Sequence, residues 1–313
     1  MTDRKTTYQQ FCNAAPDLPV FMQPWYLDAV CKNGVWDVVL LEKGGRVISA
    51  WPLFLKKKLG RAHVSMPVLG RWMGPYLLPE FRRTSKESGL LEELLDQLPV
   101  LTAVDQDFNY TVENWLPFYW RGFRQTTRYS YYLNVNDLDA VWQGMAADYR
   151  NQKIPKAKAA VRIQSGGSTE EFYRIHNLSY ARQGLKAPFS FEFFKGLDDA
   201  LAAHQQRELF FAYDLESGQI AAVAYLIWDR SRAYLLMAGD DPAYRQTGAS
   251  VLLNWELIRY THETLHLPVF DFAGSMIKSV ERVRRQFGAQ QQAYFRIQKE
   301  WSALWKWGKL LLR

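Results

Sequence analysis

Between Arg207 and Asp240, three runs rich in branched and aromatic residues, RELFFAYD, QIAAVAYLIW and RAYLLMAGD, are separated only by Glu-Ser-Gly and Asp-Arg-Ser turns. Such residues suit a pleated, half-buried surface, and connections this short join antiparallel neighbours, so the segment is read as a meander. An apolar helical pattern, ASVLLNWELIRYTHETL, follows, then a strand, PVFDFA, a basic helix, KSVERVRRQF, and a last strand, QQAYFRI. Strand, helix and strand after a meander imply a right-handed crossover that makes two strands parallel neighbours.

Upstream of the meander, Ser168 with Glu171 three residues on forms a capping box for a helix through STEEFYRIHNLSYARQ, and Ser190 caps a second through FEFFKGLDDALAAHQQ. A short strand, VRIQ, precedes them. The basic stretch DLDAVWQGMAADYRNQKIPKAKAAV reads as a long helix that Pro155 kinks or interrupts.

A chain of 313 residues exceeds one ordinary core and suits two domains. In the first half, WDVVLLEKGGRVISAWPLFL alternates apolar and polar residues around Lys-Gly-Gly, a hairpin signature. A helix from near Pro24 precedes it. A Gly/Pro-rich loop, a helix through ESGLLEELLDQL and a strand, PVLTAVD, follow. The seam is placed near Asn134 to Asp137, giving domains 1–134 and 135–313. The fold class expected is α/β (α+β), with two tandem domains, each a mixed, mostly antiparallel sheet flanked by helices.

Cys12 and Cys31 have neither CxxC spacing nor a dense disulfide pattern, and the N-terminus lacks an apolar leader core, so a reducing, cytoplasmic setting is expected. The formal charge of +7 suits a phosphate-bearing partner or simple solubility. The basic residues are dispersed and no helix-turn-helix, zinc finger or RNA-binding signature appears, so DNA is not an expected partner.

The sharpest local signal is MAGDDPAYRQTGASVLLNWELI, where a strand runs through a loop into a helix. Helix starts present unpaired N–H groups and a partial positive charge to a phosphate, and a glycine lets the backbone approach closely. Arg245, Gln246, Thr247, Gly248, Ala249 and Ser250 resemble the pyrophosphate loop of the GNAT superfamily, with Ser250 where that family prefers Gly or Ala. With the strands at Phe270 to Met276 and Tyr294 to Ile297, and NWLPFYWRGFRQTTRYSYYL in the first half, the chain resembles the bacterial Fem-like group of tandem GNAT proteins. The first half then reads as a degenerate copy of the second.

That resemblance implies an acyltransferase: acyl-CoA or aminoacyl-tRNA as phosphate-bearing donor, an amine acceptor such as a cell-wall precursor, and no metal. It implies a V-shaped opening between the strands ending near Gly239 and Gly274, with backbone from Met237 to Gly239 as oxyanion donor. Asp271, Tyr294 and Asp240 are the candidate base and acid groups. Each has a structural alternative, since an Asp in an apolar strand pairs with a nearby Arg such as Arg296, and a Tyr in a terminal strand joins the core. Arg71, Lys153 and Lys156 are candidate acceptor contacts, or ordinary solvated cations.

Two other readings compete. A GNAT-like scaffold without chemistry would bind a ligand only. His262-Glu263-Thr264-Leu265-His266 matches the HExxH pattern of zinc peptidases, although Pro268 must stop the helix close to His266. At the C-terminus, Trp301, Leu304, Trp305 and Leu312 form an apolar helical stripe beside Lys306, Lys309 and Arg313. This tail either closes the core or makes a peripheral contact with the inner membrane.

Overall fold

The computed structural model describes residues 3–58, 60–182, 184–274 and 276–301. The chain divides into two compact units: one runs from the N-terminus to Arg128 and takes the chain back from Ala293, and the other is Tyr129–Gln292. The linear division 1–134 and 135–313 does not draw this return, because a final strand carries no sequence mark of which sheet it joins. The tail stripe beyond Trp301, and Ser275, lie outside the described residues.

In the first unit, α1 (Arg4–Ala14) and α2 (Pro24–Val30) precede a hairpin of β1 (Val35–Lys43) and β2 (Arg46–Lys58). Its turn uses Gly44 and Gly45 at φ 59° and 77°, the pair of positive angles that a two-residue turn matched to strand twist requires. β3 (Arg61–Val64) pairs antiparallel with β2, and β4 (Tyr76–Leu77) adds to β2 further along. α3 (Glu87–Asp96), β5 (Ala103–Asp107) and α4 (Leu116–Trp120) follow. β5 runs parallel to β3 and antiparallel to the end of the chain. Trp51, Phe108 and Phe118 meet edge to face in the core, and the buried Trp51 indole donates to Gln106 Oε1 at 2.6 Å. α1 escapes a reading by periodicity because its composition is polar and it buries only Tyr8, Phe11 and Cys12.

β6 (Arg124–Asn134) leads into the second unit, followed by α5 (Leu138–Gly144) and α6 (Ile154–Ala160). The expected long helix is broken, but not at Pro155. The break falls after Gly144, a wide turn occupies Tyr149–Lys153, and Pro155 sits in the first turn of α6, where a missing N–H costs nothing. β7 (Val161–Ser165), α7 (Thr169–Ala181) and α8 (Phe191–Ala203) come next. Ser168 Oγ accepts from the Glu171 N–H at 3.2 Å and Ser190 Oγ from the Phe193 N–H at 3.3 Å, as the caps predicted.

The meander is β8 (Arg207–Asp214), β9 (Ile220–Trp228) and β10 (Ala233–Asp240), after which come α9 (Ala249–Glu263), β11 (Val269–Asp271), α10 (Lys278–Gln286) and β12 (Gln290–Glu300). The sheet of this unit runs β7-β8-β9-β10-β11-β6, antiparallel except for the β10–β11 pair. Alternate residues of β9 serve opposite faces. Ala222, Ala224 and Leu226 join Leu253 and Leu257 of α9 in one core, whereas Tyr225 meets Phe172 of α7 and Phe194 of α8. The expected mixed, mostly antiparallel sheet flanked by helices is what the structure shows.

Candidate donor site in the second unit

β10 and β11 pair at only two positions, Ala233 with Phe270 and Tyr234 with Asp271. Among the described residues, β10 then continues to Asp240 with no strand partner on that side, while Ala273 and Gly274 turn away at φ 56° and 78°. Two parallel strands that part after two residues leave a wedge. A bulge sharpens it: Leu235 faces Leu226 but Met237 faces Tyr225, so Leu236 is an extra residue that bends β10.

α7 covers the free edge of β10. The His176 imidazole lies 3.0 Å from the Ala238 carbonyl through Nδ1, and Ser179 Oγ lies 3.3 Å from the Asp240 N–H. A carbonyl only accepts, so Nδ1 carries the proton. In an antiparallel ladder a residue's N–H and C=O share one side, so the Ala238 N–H also faces away from β9. Gly239 lets the helix come this close: a Cβ there would lie 2.5 Å from the His176 Cα.

A cavity of about 110 Å³ lies where α9 packs on β9 and β10, lined by Ala238, Gly239 and Asp240 of β10, by Ser250, Leu253 and Asn254 of α9, and by two residues of β9. Asn254 Nδ2 donates to the Ser250 carbonyl at 2.7 Å, and its Oδ1 is buried with no partner. An orphaned acceptor in a cavity wall fits a ligand that brings an N–H, such as an amide. The loop into α9 is a short 3₁₀ turn, Pro242–Thr247, closed by Gly248 at φ 76°. Thr247 Oγ1 accepts from the Ala249 N–H at 3.2 Å, so one of the helix-start donors is already engaged.

Of the residues singled out in the sequence, Gly239, Asp240 and Ser250 meet in this cavity, and Met237 is buried just before them in β10. Arg245 is not free to hold a phosphate in this state. Its Nε lies 2.5 Å from Asp240 Oδ2, with Arg182 4.0 Å from the same oxygen. Burial raises the Asp240 carboxyl above its ordinary value, and Arg182 opposes that rise. Gln246 is exposed, and Gly248 faces Ala157 of α6, whose Cβ would sit 3.2 Å from a Cβ added to the glycine.

Asp271 lies at the other end of the wedge. It is opposite Tyr234, six residues before Asp240, or about 20 Å along an extended strand. It is fully buried. Arg232 reaches Oδ2 at 3.0 Å, while Ser130 Oγ and the Ala273 N–H donate to Oδ1 at 2.6 and 2.8 Å. The arginine that pairs with it is therefore Arg232; Arg296, the partner named from sequence, grips Asp105 instead at 2.7 and 3.0 Å. Lys153 pairs with Asp148 at 2.8 Å, and Lys156 is exposed.

Tyr294 and Arg71 belong to the first unit. The Tyr294 ring packs edge-on against Trp72 and Tyr110, 5% exposed. Beside it on β12, Arg296 faces Asp107 across the β5 ladder. Burial raises the Asp107 carboxyl despite the fields of Arg128, Arg296 and Arg71. Sequence reasoning missed Asp107, although AVDQD puts two acids, Asp105 and Asp107, on one face of a half-buried strand. It also missed His176, which the Phe172, His176, Tyr180 spacing places on one helical face.

The HExxH reading fails on geometry. α9 ends at Glu263, His266 lies beyond it at φ 54°, and Glu263 is held by Arg259 at 2.9 and 3.1 Å. The two histidines do not share a helix face, because Pro268 forces the chain out before the second one.

His176 makes stability depend on pH. Burial holds its pKa below the usual 6.5, against the opposing bond to Ala238. A depressed histidine contributes stability that is complete above the unfolded pKa and is lost as pH falls from about 6.5 toward the folded value. His176→Gln should flatten that part of a urea-stability profile between about pH 5 and 7. An unchanged slope would show that the imidazole titrates alike in both states.

The acetyltransferase (GNAT) domain family matches residues 149–296. Comparison with curated protein sequences gives no match. Among solved structures, the chain is similar to FemX, with TM-score 0.71 and 12% identity over 94% of this chain and 96% of that one. It is similar to a tandem GNAT protein from the clavulanic acid biosynthesis pathway, with TM-score 0.60 and 14% identity over 96% of each chain. It is also similar to L-PGS from Bacillus licheniformis, with TM-score 0.59 and 10% identity over 96% and 93%. Identities this low speak to fold alone. Residues 149–296 thus carry the match to the GNAT acetyltransferase domain, and the chain as a whole has the fold of tandem GNAT proteins.

Proposed function

We propose that the protein is a transferase that moves an acyl or aminoacyl group from a CoA thioester or an aminoacyl-tRNA to an amine. The observation that carries this reading is the wedge between β10 and β11, with the Ala238 N–H on its free edge and a cavity leading to the start of α9. The amine nitrogen attacks the carbonyl carbon, the C–N bond forms, and the C–S or C–O bond breaks as the leaving sulfur or oxygen takes up a proton. Charge gathers meanwhile on the carbonyl oxygen, and a fixed N–H stabilises it without reorganisation.

Asp240, with its raised carboxyl pKa, is our candidate to receive the proton of the attacking amine. Donor phosphates meet the loop from Arg245 to Ser250, with Arg245 exchanging Asp240 for phosphate when donor binds. Asp271 is assigned a positioning role at the apex, while Tyr294, packed among the aromatic side chains of the first unit, is given no part in this site. Lys156 is a proposed contact for an anionic acceptor. A second reading, a scaffold that binds without turnover, draws support from the same Arg245–Asp240 pair, which occupies both groups.

Calorimetry with acetyl-CoA, a longer acyl-CoA and aminoacyl-tRNA distinguishes the donors, and transfer to an added amine separates enzyme from binder. Gly248→Ala and Gly248→Asp share the strain of a side chain at φ 76°, but only the second brings a negative charge to the loop. Donor affinity should fall at least about tenfold more in Gly248→Asp than in Gly248→Ala, the scale of 1.4 kcal/mol. Equal affinities in two folded variants would remove the loop from the donor site.

A further inference from the structure

The first unit carries an apolar and basic face unrelated to the donor cavity. The loop from Leu98 to Leu101 is four apolar residues in a row, and Val100 at its tip is 98% exposed. Two shallow grooves of about 390 and 550 Å³ share Val100, Leu101 and Trp301 in their walls. One is bordered by Arg121 and Lys299, the other by Arg61 at the end of the β2–β3 hairpin. Lys299 lies over the rings of both Phe123 and Trp301, at 5.0 and 4.7 Å.

Lys58 and Arg61 stand directly opposite each other across the ladder, so the end of the hairpin brings two cations side by side, an arrangement that an anionic surface favours. Asp96 and Glu92 pair with Arg121. An exposed apolar tip ringed by Trp and cations is the chemistry of the bilayer interface, where apolar groups enter the headgroup boundary and cations meet lipid phosphates.

The geometry points to this face as a docking surface for an anionic lipid bilayer, with Val100 and Trp301 entering it and Lys58, Arg61 and Lys299 contacting its phosphates. The inference stands on the first unit and does not depend on the transferase reading. The test is sedimentation of the full chain with phosphatidylcholine vesicles, with and without phosphatidylglycerol, at low and high salt. Wild type should sediment with the phosphatidylglycerol vesicles, less with phosphatidylcholine alone, and less at high salt. Lys58→Glu with Arg61→Glu should weaken partition by about 30-fold or more, the effect of losing two cations at about 1 kcal/mol each. Val100→Asp changes a nearly fully exposed side chain, so its loss of binding cannot be laid to misfolding. Wild type that ignores the vesicles overturns the proposal and favours a protein partner for the face. Variants that sediment like wild type overturn it too, leaving any binding to the tail. Neither result would touch donor binding by the second unit.

Discussion

Asp271→Ala should destabilise the second unit by about 3–5 kcal/mol, the usual consequence of removing one partner from a buried ion pair. The side chain is fully buried, and Arg232, its partner at 3.0 Å, is 19% exposed. Deletion leaves a guanidinium, the Ser130 hydroxyl and the Ala273 N–H without their shared acceptor. Asp271→Asn keeps an acceptor for Ser130 and Ala273 but removes the charge, so its cost should be smaller. Arg232→Met in the Asp271→Leu background should recover part of the loss, because an apolar pair of similar volume has no charge to desolvate. Denaturant titration of the four proteins decides the matter. If Asp271→Ala is as stable as wild type, the carboxylate is not a structural anchor and its candidacy as a base is strengthened.

The second large effect belongs to Gly239→Ala. Its added Cβ would stand 2.5 Å from the His176 Cα, 3.1 Å from the His176 nitrogen and 3.1 Å from the Ile175 carbonyl. All three are main-chain atoms, so no side chain can swing aside; β10 and α7 must separate. Overpacking of this kind costs about 1–3 kcal/mol, and a main-chain neighbour puts this site toward the upper end. The shift also pulls His176 from the Ala238 carbonyl and Ser179 from the Asp240 N–H, so ligand binding in the cavity should fail even where folding survives. A Gly239→Ala protein that matches wild type in stability and donor affinity would mean that α7 does not hold the edge of β10.

The element order was legible because periodicity and punctuation agree locally: Ser168 and Ser190 cap their helices, Gly44 and Gly45 turn the hairpin, and the meander follows its branched runs. Local patterns do not report distance in space. Asp271 and Asp240 both read as polar groups near a strand end, yet the register of two residue pairs puts them far apart. Arg245 read as a phosphate ligand from its loop, while its tie to Asp240 depends on how the 3₁₀ turn folds back. His176 was invisible for a related reason: a histidine on an apolar helix face looks like core until the strand it touches is known.

The return of β12 to the first unit bears on how the protein is made. Arg296 and Asp105, joined in the β5–β12 ladder, are 191 residues apart in the chain. A ribosome releases β5 long before its neighbour exists, so the nascent first unit must wait with that strand's edge unpaired while all of Tyr129–Gln292 emerges. The second unit, contiguous in sequence, can complete itself during that interval.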